Sequence, residues 1–184
     1  MKRKLFAIGA LLASLGFFLG IQVKPAWAST TWYAIHVSDY AFPYYCLATD
    51  PNAAAGTPVF VWNCVDEQSA WFEWAGVPIT SGPNAGLSLL VNKSDGLCAY
   101  NPGTYAGQIT MQQCDGTWTQ EAWNSLYDGH GWLQFFTPFL AGTSYRYLSN
   151  ANDRGANGNP AVGWLNTDLP YQEWGQWVCP GPNC

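Results

Sequence analysis

Three glutamine-tryptophan signatures, Gln68-Ser-Ala-Trp71, Gln120-Glu-Ala-Trp123 and Gln172-Glu-Trp174, set their glutamines 52 residues apart, twice over. A fixed period of this length marks one supersecondary unit copied three times. No ten-residue stretch between the signatures carries a helical stripe, so the unit is built of strands. Strands in three copies hide their apolar faces and their edges by closing on one another. The expected architecture is all-β and closed, with function placed in the loops of the repeat.

Short runs rich in β-branched and aromatic residues, separated by Gly, Pro, Asn and Asp clusters, predict four strands per repeat. They are Trp32–Val37, Tyr44–Ala48, Val59–Asn63 and Trp71–Trp74 in the first repeat, about residues 31–80. Leu87–Val91, Leu97–Tyr100, Gln108–Gln113 and Glu121–Leu126 follow in the second, about 81–126. Trp132–Phe136, Tyr145–Leu148, Ala161–Leu165 and Glu173–Val178 complete the third, about 127–179.

The N-terminus reads as an export signal. Lys2, Arg3 and Lys4 precede an apolar run from Leu5 to Ile21, and Ala26-Trp27-Ala28 has the small-x-small form of a cleavage site. Residues 1–28 are therefore expected to be removed, leaving one domain over 29–184 with no further membrane span. That domain keeps three cations, Lys93, Arg146 and Arg154, against twelve carboxylates, a net charge of −9. Three scattered cations cannot displace the counterions of a polyanion, so nucleic acid is not an expected partner. Tryptophan and tyrosine are instead abundant there, with ten of the chain's eleven tryptophans and all ten tyrosines, and such side chains suit ligands with both CH and OH faces.

All six cysteines lie in the exported part, which points to disulfides in an oxidising, extracellular setting. Cys46 and Cys98 hold equivalent places before the variable loop, and Cys64 and Cys114 follow it, so the repeat pairs Cys46 with Cys64 and Cys98 with Cys114. Cys179 and Cys184 enclose Pro-Gly-Pro-Asn and form the third expected pair. Zinc fits less well, because the spacings are not paired CxxC and His36 and His130 lack nearby ligand partners. No metal or cofactor is expected.

The order of these features resembles the ricin-type lectin family of carbohydrate-binding β-trefoils. The resemblance rests on Cys46-Leu47, Gly56-Thr57-Pro58-Val59-Phe60-Val61-Trp62-Asn63-Cys64, Gln68 and Trp71. Leu97-Cys98, Gly107-Gln108-Ile109 to Cys114, Gln120 and Trp123 repeat it. Tyr147-Leu148, Gly158-Asn159-Pro160, Trp164 and Gln172-Glu173-Trp174 close it, with Tyr147 in a cysteine's place. It implies a disulfide-stabilised β-trefoil, QxW tryptophans packed inside, and a sugar stacked on Trp62 in the first repeat and Trp164 in the third. Gln112 stands at that position in the second repeat, whose site is expected to be inactive. The family's sugar-binding aspartate would fall at Ala48, Tyr100 and Ser149, so hydrogen bonding must come from displaced groups. Candidates are Asp50 and Asn63 in the first repeat and Asn150, Asn152 and Asp153 in the third, with Gln68 and Gln172 orienting them or bracing the turn.

Nothing in the chain selects a catalytic carboxylate pair; Asp66-Glu67 reads as an exposed loop, and no nucleophile motif flanks either histidine. Asn92-Lys93-Ser94 spells a glycosylation triplet. The expected function is that of a secreted non-enzymatic lectin, binding galactose-like or xylan-like glycans weakly and multivalently through repeats 1 and 3. The alternative is a trefoil without sugar binding that engages a protein, as an inhibitor, toxin partner or surface component.

Overall fold

A computed structural model describes residues 30–37, 45–64, 69–129, 131–138, 145–151, 156–167 and 169–178. The expected signal peptide, Asp66, Glu67, Gln68, Asn152, Asp153 and the pair Cys179 and Cys184 lie outside the described residues.

The first repeat contributes β1 (Tyr33–Val37), β2 (Tyr45–Ala48), β3 (Phe60–Asn63) and β4 (Glu73–Pro78). The second contributes β5 (Ser88–Asn92), β6 (Cys98–Tyr100), β7 (Gly107–Gln108), β8 (Thr110–Gln112) and β9 (Ala122–Tyr127). The third contributes β10 (Leu133–Phe136), β11 (Tyr147–Asn150), β12 (Asn159–Trp164) and β13 (Trp174–Val178). The first and last strands of each repeat pair in a closed antiparallel ring, β1 to β4, β5, β9, β10, β13 and back to β1. Closure leaves the ring no edge on which another chain could add.

The inner strands of each repeat form a hairpin over one end of this barrel: β2 with β3, β6 with β8, β11 with β12. The hairpins meet in a three-membered backbone cycle. Val59 N–H donates to Ile109 O at 2.9 Å, Ile109 N–H to Ala161 O at 2.8 Å, and Ala161 N–H to Val59 O at 3.0 Å. The Gln108 amide lies within hydrogen-bonding distance of the same three carbonyls. The cycle explains why the expected strand Gln108–Gln113 is split into β7 and β8: Ile109 turns its amide away from the hairpin partner and toward the axis.

The copied register is visible where each hairpin leaves the barrel. His36 pairs with Cys46, Val91 with Cys98 and Phe136 with Tyr147, so Tyr147 does stand where the other repeats have a cysteine. Two disulfides, Cys46–Cys64 and Cys98–Cys114, close the first two hairpins as the repeat implied. Alternate residues of the hairpins, Leu47, Val61, Ala99, Met111 and Leu148, point into a core shared with Trp74, Trp123 and Trp174.

Those three tryptophans correct the phase of the sequence motif. The indole N–H of Trp74 donates to Leu47 O, that of Trp123 to Ala99 O and that of Trp174 to Leu148 O, at 2.9, 2.9 and 3.1 Å. The acceptors are equivalent, so the true copies lie 49 and 51 residues apart. Trp74, not Trp71, is the core tryptophan of the first repeat. The expected strand Trp71–Trp74 begins as a 3-10 turn at Ala70–Phe72, and β4 starts only at Glu73. The same turn places Phe72, Glu121 and Gln172 in equivalent positions, with N–H groups bonded to Ser69 O, Trp118 O and Leu169 O.

Glu121 therefore occupies the place that Gln172 fills in the third repeat. Its side chain is buried, and Oε2 accepts from Asp115 N–H at 3.1 Å. Burial raises its pKa, opposed by the backbone N–H groups of Asp115 and Gly116, with the Asp115 charge adding to the rise. The folded chain thus holds this proton more tightly than the unfolded one, and stability falls as pH climbs from the ordinary carboxyl range through the raised value. Glu121→Gln is expected to remove that slope and to add about 1 kcal/mol at neutral pH, the worth of one buried hydrogen bond. Urea unfolding at pH 5 and pH 7 reads both; an unchanged slope would refute this role for Glu121.

Candidate functional site

Residues that face outward on the hairpins pair across them as Cys46 with Trp62 and Ala48 with Phe60 in the first repeat, and Tyr147 with Trp164 and Ser149 with Val162 in the third. Cys98 with Gln112 and Tyr100 with Thr110 are their counterparts in the second. Trp62, Gln112 and Trp164 are thus equivalent, as the resemblance implied.

Trp62 stands at the surface with 36% of its area exposed. It is held by Phe60 at 5.9 Å between ring centroids and by Trp71 at 6.4 Å, both T-shaped. Trp71 in turn packs on buried Phe72 at 4.1 Å. Beneath this aromatic group lie the Cys46–Cys64 disulfide and Ala34. The loop of the third repeat walls the indole: a Cβ on Gly158 would come within 3.9 Å of Trp62 Cζ3, and Gly158 has φ +83°, a left-handed conformation that suits glycine. From the same loop, Asn157 Oδ1 accepts from Asn63 N–H at 2.7 Å. An aromatic face with amide groups near its rim can stack a sugar's CH groups and bond its hydroxyls.

The other sequence-derived candidates fall elsewhere. Asp50 is exposed beyond the end of β2, two residues further along than Ala48, and its Oδ1 closes a turn by accepting from Asn52 N–H at 2.8 Å. Asn150 is buried and pairs with Ala161 on the core side of its hairpin, away from the Trp164 face, because strand alternation turns neighbouring residues to opposite sides. Gln172 is wholly buried; its Oε1 accepts from Thr167 N–H at 2.8 Å, and Nε2 donates to Ser149 Oγ at 2.9 Å and to Leu165 O. It braces the turn. Ala48 and Ser149, two of the positions where the family's aspartate would fall, are buried too and face no solvent.

Trp164 is half-buried and covered. Tyr105, from the loop of the second repeat, lies 4.7 Å from it at a 43° tilt, and Tyr145 meets Tyr105 edge-on at 5.3 Å. The second repeat presents its own exposed indole, Trp118, 6.0 Å from Tyr100 in a T-shaped contact. Sequence reasoning missed Trp71, Tyr105, Trp118 and Asn157 as surface groups. The signal was present for two of them: Tyr105 and Trp118 sit among Gly, Pro and Thr, where an aromatic has no strand to bury it. The glycosylation triplet is closed, since Asn92 is buried with Nδ2 donating to Trp71 O and Glu73 O at 3.1 and 3.3 Å.

No family model and no curated protein sequence matches the chain. Solved structures do. A designed threefold-symmetric protein, ThreeFoil, superposes with a TM-score of 0.66 at 14% identity, over 80% of this chain and 98% of its own. The C-half of an earthworm R-type lectin in complex with GalNAc gives 0.57 at 15%, over 81% of this chain and 99% of its own. The chain is a β-trefoil. An exo-β-1,3-galactanase from Clostridium thermocellum matches at 0.64 and 15%, over 81% of this chain but only 30% of its own length. The chain therefore spans less than a third of that enzyme. At these identities the likeness is one of fold, and the site must be argued from the residues of this β-trefoil.

Proposed function

We propose that the chain is an exported glycan-binding trefoil of lectin type, without catalytic activity, whose first-repeat site is centred on Trp62. The carrying observation is that indole: 36% exposed, in T-shaped contact with Phe60 and Trp71, and followed by Asn63, whose N–H donates to the Asn157 amide. A rigid aromatic loses little entropy when a sugar stacks on it. The absence of a carboxylate at Ala48 leaves few charge-assisted bonds, so each contact is weak, and galactose-like or xylan-like chains gain strength by engaging a second site on the third repeat. Lectins among the proteins of like fold, one of them holding GalNAc, support this reading. The two disulfides fit an extracellular location.

Trp62→Ala is expected to weaken binding of galactose and xylo-oligosaccharides by about tenfold or more, about 1.4 kcal/mol for each tenfold, while the unfolding midpoint moves little. Tryptophan fluorescence titration and a glycan array measure it. Full binding retained in Trp62→Ala would remove the site. A second reading, a protein-binding trefoil, draws on exposed Leu126 and Tyr127 at the β9–β10 hairpin and on the burial of Ala48 and Ser149. Silence of the wild type on every glycan, with a protein partner lost on Tyr127→Ala, would favour it.

A further inference from the structure

The third-repeat platform is composite. Tyr105 exposes 63% of its area while lying 4.7 Å from Trp164, so a ligand seated at Trp164 has that ring beside it. The loop that carries Tyr105 is fastened at several points. Asn101, wholly buried, donates from Nδ2 to Arg146 O at 3.1 Å and to Thr137 Oγ1 at 3.3 Å, and its Oδ1 accepts from Gly103 N–H at 2.9 Å. Gly163, next to Trp164, lets Asn101 sit against its backbone: a Cβ there would fall 2.5 Å from Asn101 Oδ1 and 2.7 Å from Tyr145 O. Gly107 N–H closes the tip by donating to Thr104 O at 2.9 Å. Directly after Tyr105, Ala106 has φ 47°, left-handed backbone that alanine adopts at a cost, and it is the one non-glycine residue with positive φ among those described.

Strain of this kind persists only where the surroundings over-determine it. Here they fix one ring, Tyr105, over the seam between the second and third repeats. We propose that Tyr105 is a binding residue of the third-repeat site, and that the seam takes a glycan segment of two or more sugar rings, one stacked on Tyr105 and its neighbour on the uncovered part of Trp164. This rests on the reading of the chain as a glycan binder. Two tilted faces match two successive rings of a twisted chain better than they match one free sugar, whereas the single open indole of Trp62 suits a terminal sugar.

The test uses the mature chain carrying Trp62→Ala, so that the third-repeat site is read by itself, titrated by calorimetry with xylose, xylobiose and xylotetraose and with galactose and galactobiose. In one of the two series the disaccharide is expected to bind at least tenfold tighter than the monosaccharide. Adding Tyr105→Ala should erase that gain, and Tyr105→Phe should keep it, because the ring rather than the hydroxyl does the stacking. Near-UV circular dichroism and the unfolding midpoint confirm that each variant remains folded. Unchanged or tighter disaccharide binding in Tyr105→Ala would overturn the proposal and make Tyr105 a mere cover. Loss of all sugar binding in Trp62→Ala alone would overturn it while leaving the glycan-binding reading intact; a wild type that binds none of these sugars would overturn both.

Discussion

Trp74→Ala is expected to destabilise the chain by about 3–5 kcal/mol, whereas Trp71→Ala, three residues away, should cost about 1 kcal/mol. Trp74 is fully buried between the barrel and its first hairpin, and its indole N–H satisfies Leu47 O. Truncation opens a cavity and also orphans a carbonyl with no solvent to replace the donor. Against a net stability of roughly 5–15 kcal/mol, that loss unfolds much of the population at physiological temperature. Trp71 keeps part of its surface in solvent and meets Phe72 at 4.1 Å and Trp62 at 6.4 Å outside the main core. Trp123→Ala and Trp174→Ala should behave as Trp74→Ala does, since their indoles make the same bond to equivalent carbonyls. Urea midpoints for the four variants give the comparison. Equal costs at Trp71 and Trp74 would show that the repeat is phased from Gln68 after all.

The contrast between these tryptophans marks where sequence reading stops. Strand positions were legible because apolar alternation and turn residues are local: every expected strand overlaps an observed one, although Gln108–Gln113 is split between β7 and β8, and Trp71–Trp74 and Tyr145–Leu148 reach β4 and β11 only with their last two residues. The disulfide pairs of the first two repeats followed from copy number alone. Motif phase was not legible in the first repeat, where Trp71-Phe72-Glu73-Trp74 offers two indoles and only packing selects between them. Likewise Gln120 carries the motif's letter, yet the buried position belongs to Glu121, because the 3-10 turn sets which side chain enters the turn. The expected sugar-stacking residues Trp62 and Trp164 do stand at equivalent positions, but exposure divides them. That division comes from Tyr105, which is 59 residues from Trp164 in the chain and reaches it only because each hairpin loop abuts the next repeat. Strand parity likewise removed Asn150 from the site: one residue's shift along β11 separates the core face from the outer face.

Removing the two disulfides is expected to have effects of similar size on stability but different effects on function. Each closes a comparable stretch, 18 residues for Cys46–Cys64 and 16 for Cys98–Cys114, worth about 3 kcal/mol apiece by restriction of the unfolded chain. Their joint loss approaches the whole stability of an ordinary domain, so a fully reduced chain should fail to fold at 37 °C. Their surroundings differ, however. Cys46 and Cys64 pack with Ala34 and Phe72 directly under Phe60 and Trp71, the rings that contact Trp62. Cys98 lies opposite Gln112, where no platform stands. The double variant Cys46→Ala/Cys64→Ala should therefore lose glycan affinity at temperatures where it is still folded, with a blunted near-UV tryptophan signal. Cys98→Ala/Cys114→Ala should lose stability alone. Equal binding by the two folded variants would show that the first bridge supports the barrel without positioning Trp62, and the rigidity ascribed to that indole would then have to come from Trp71 and the Gly158 loop.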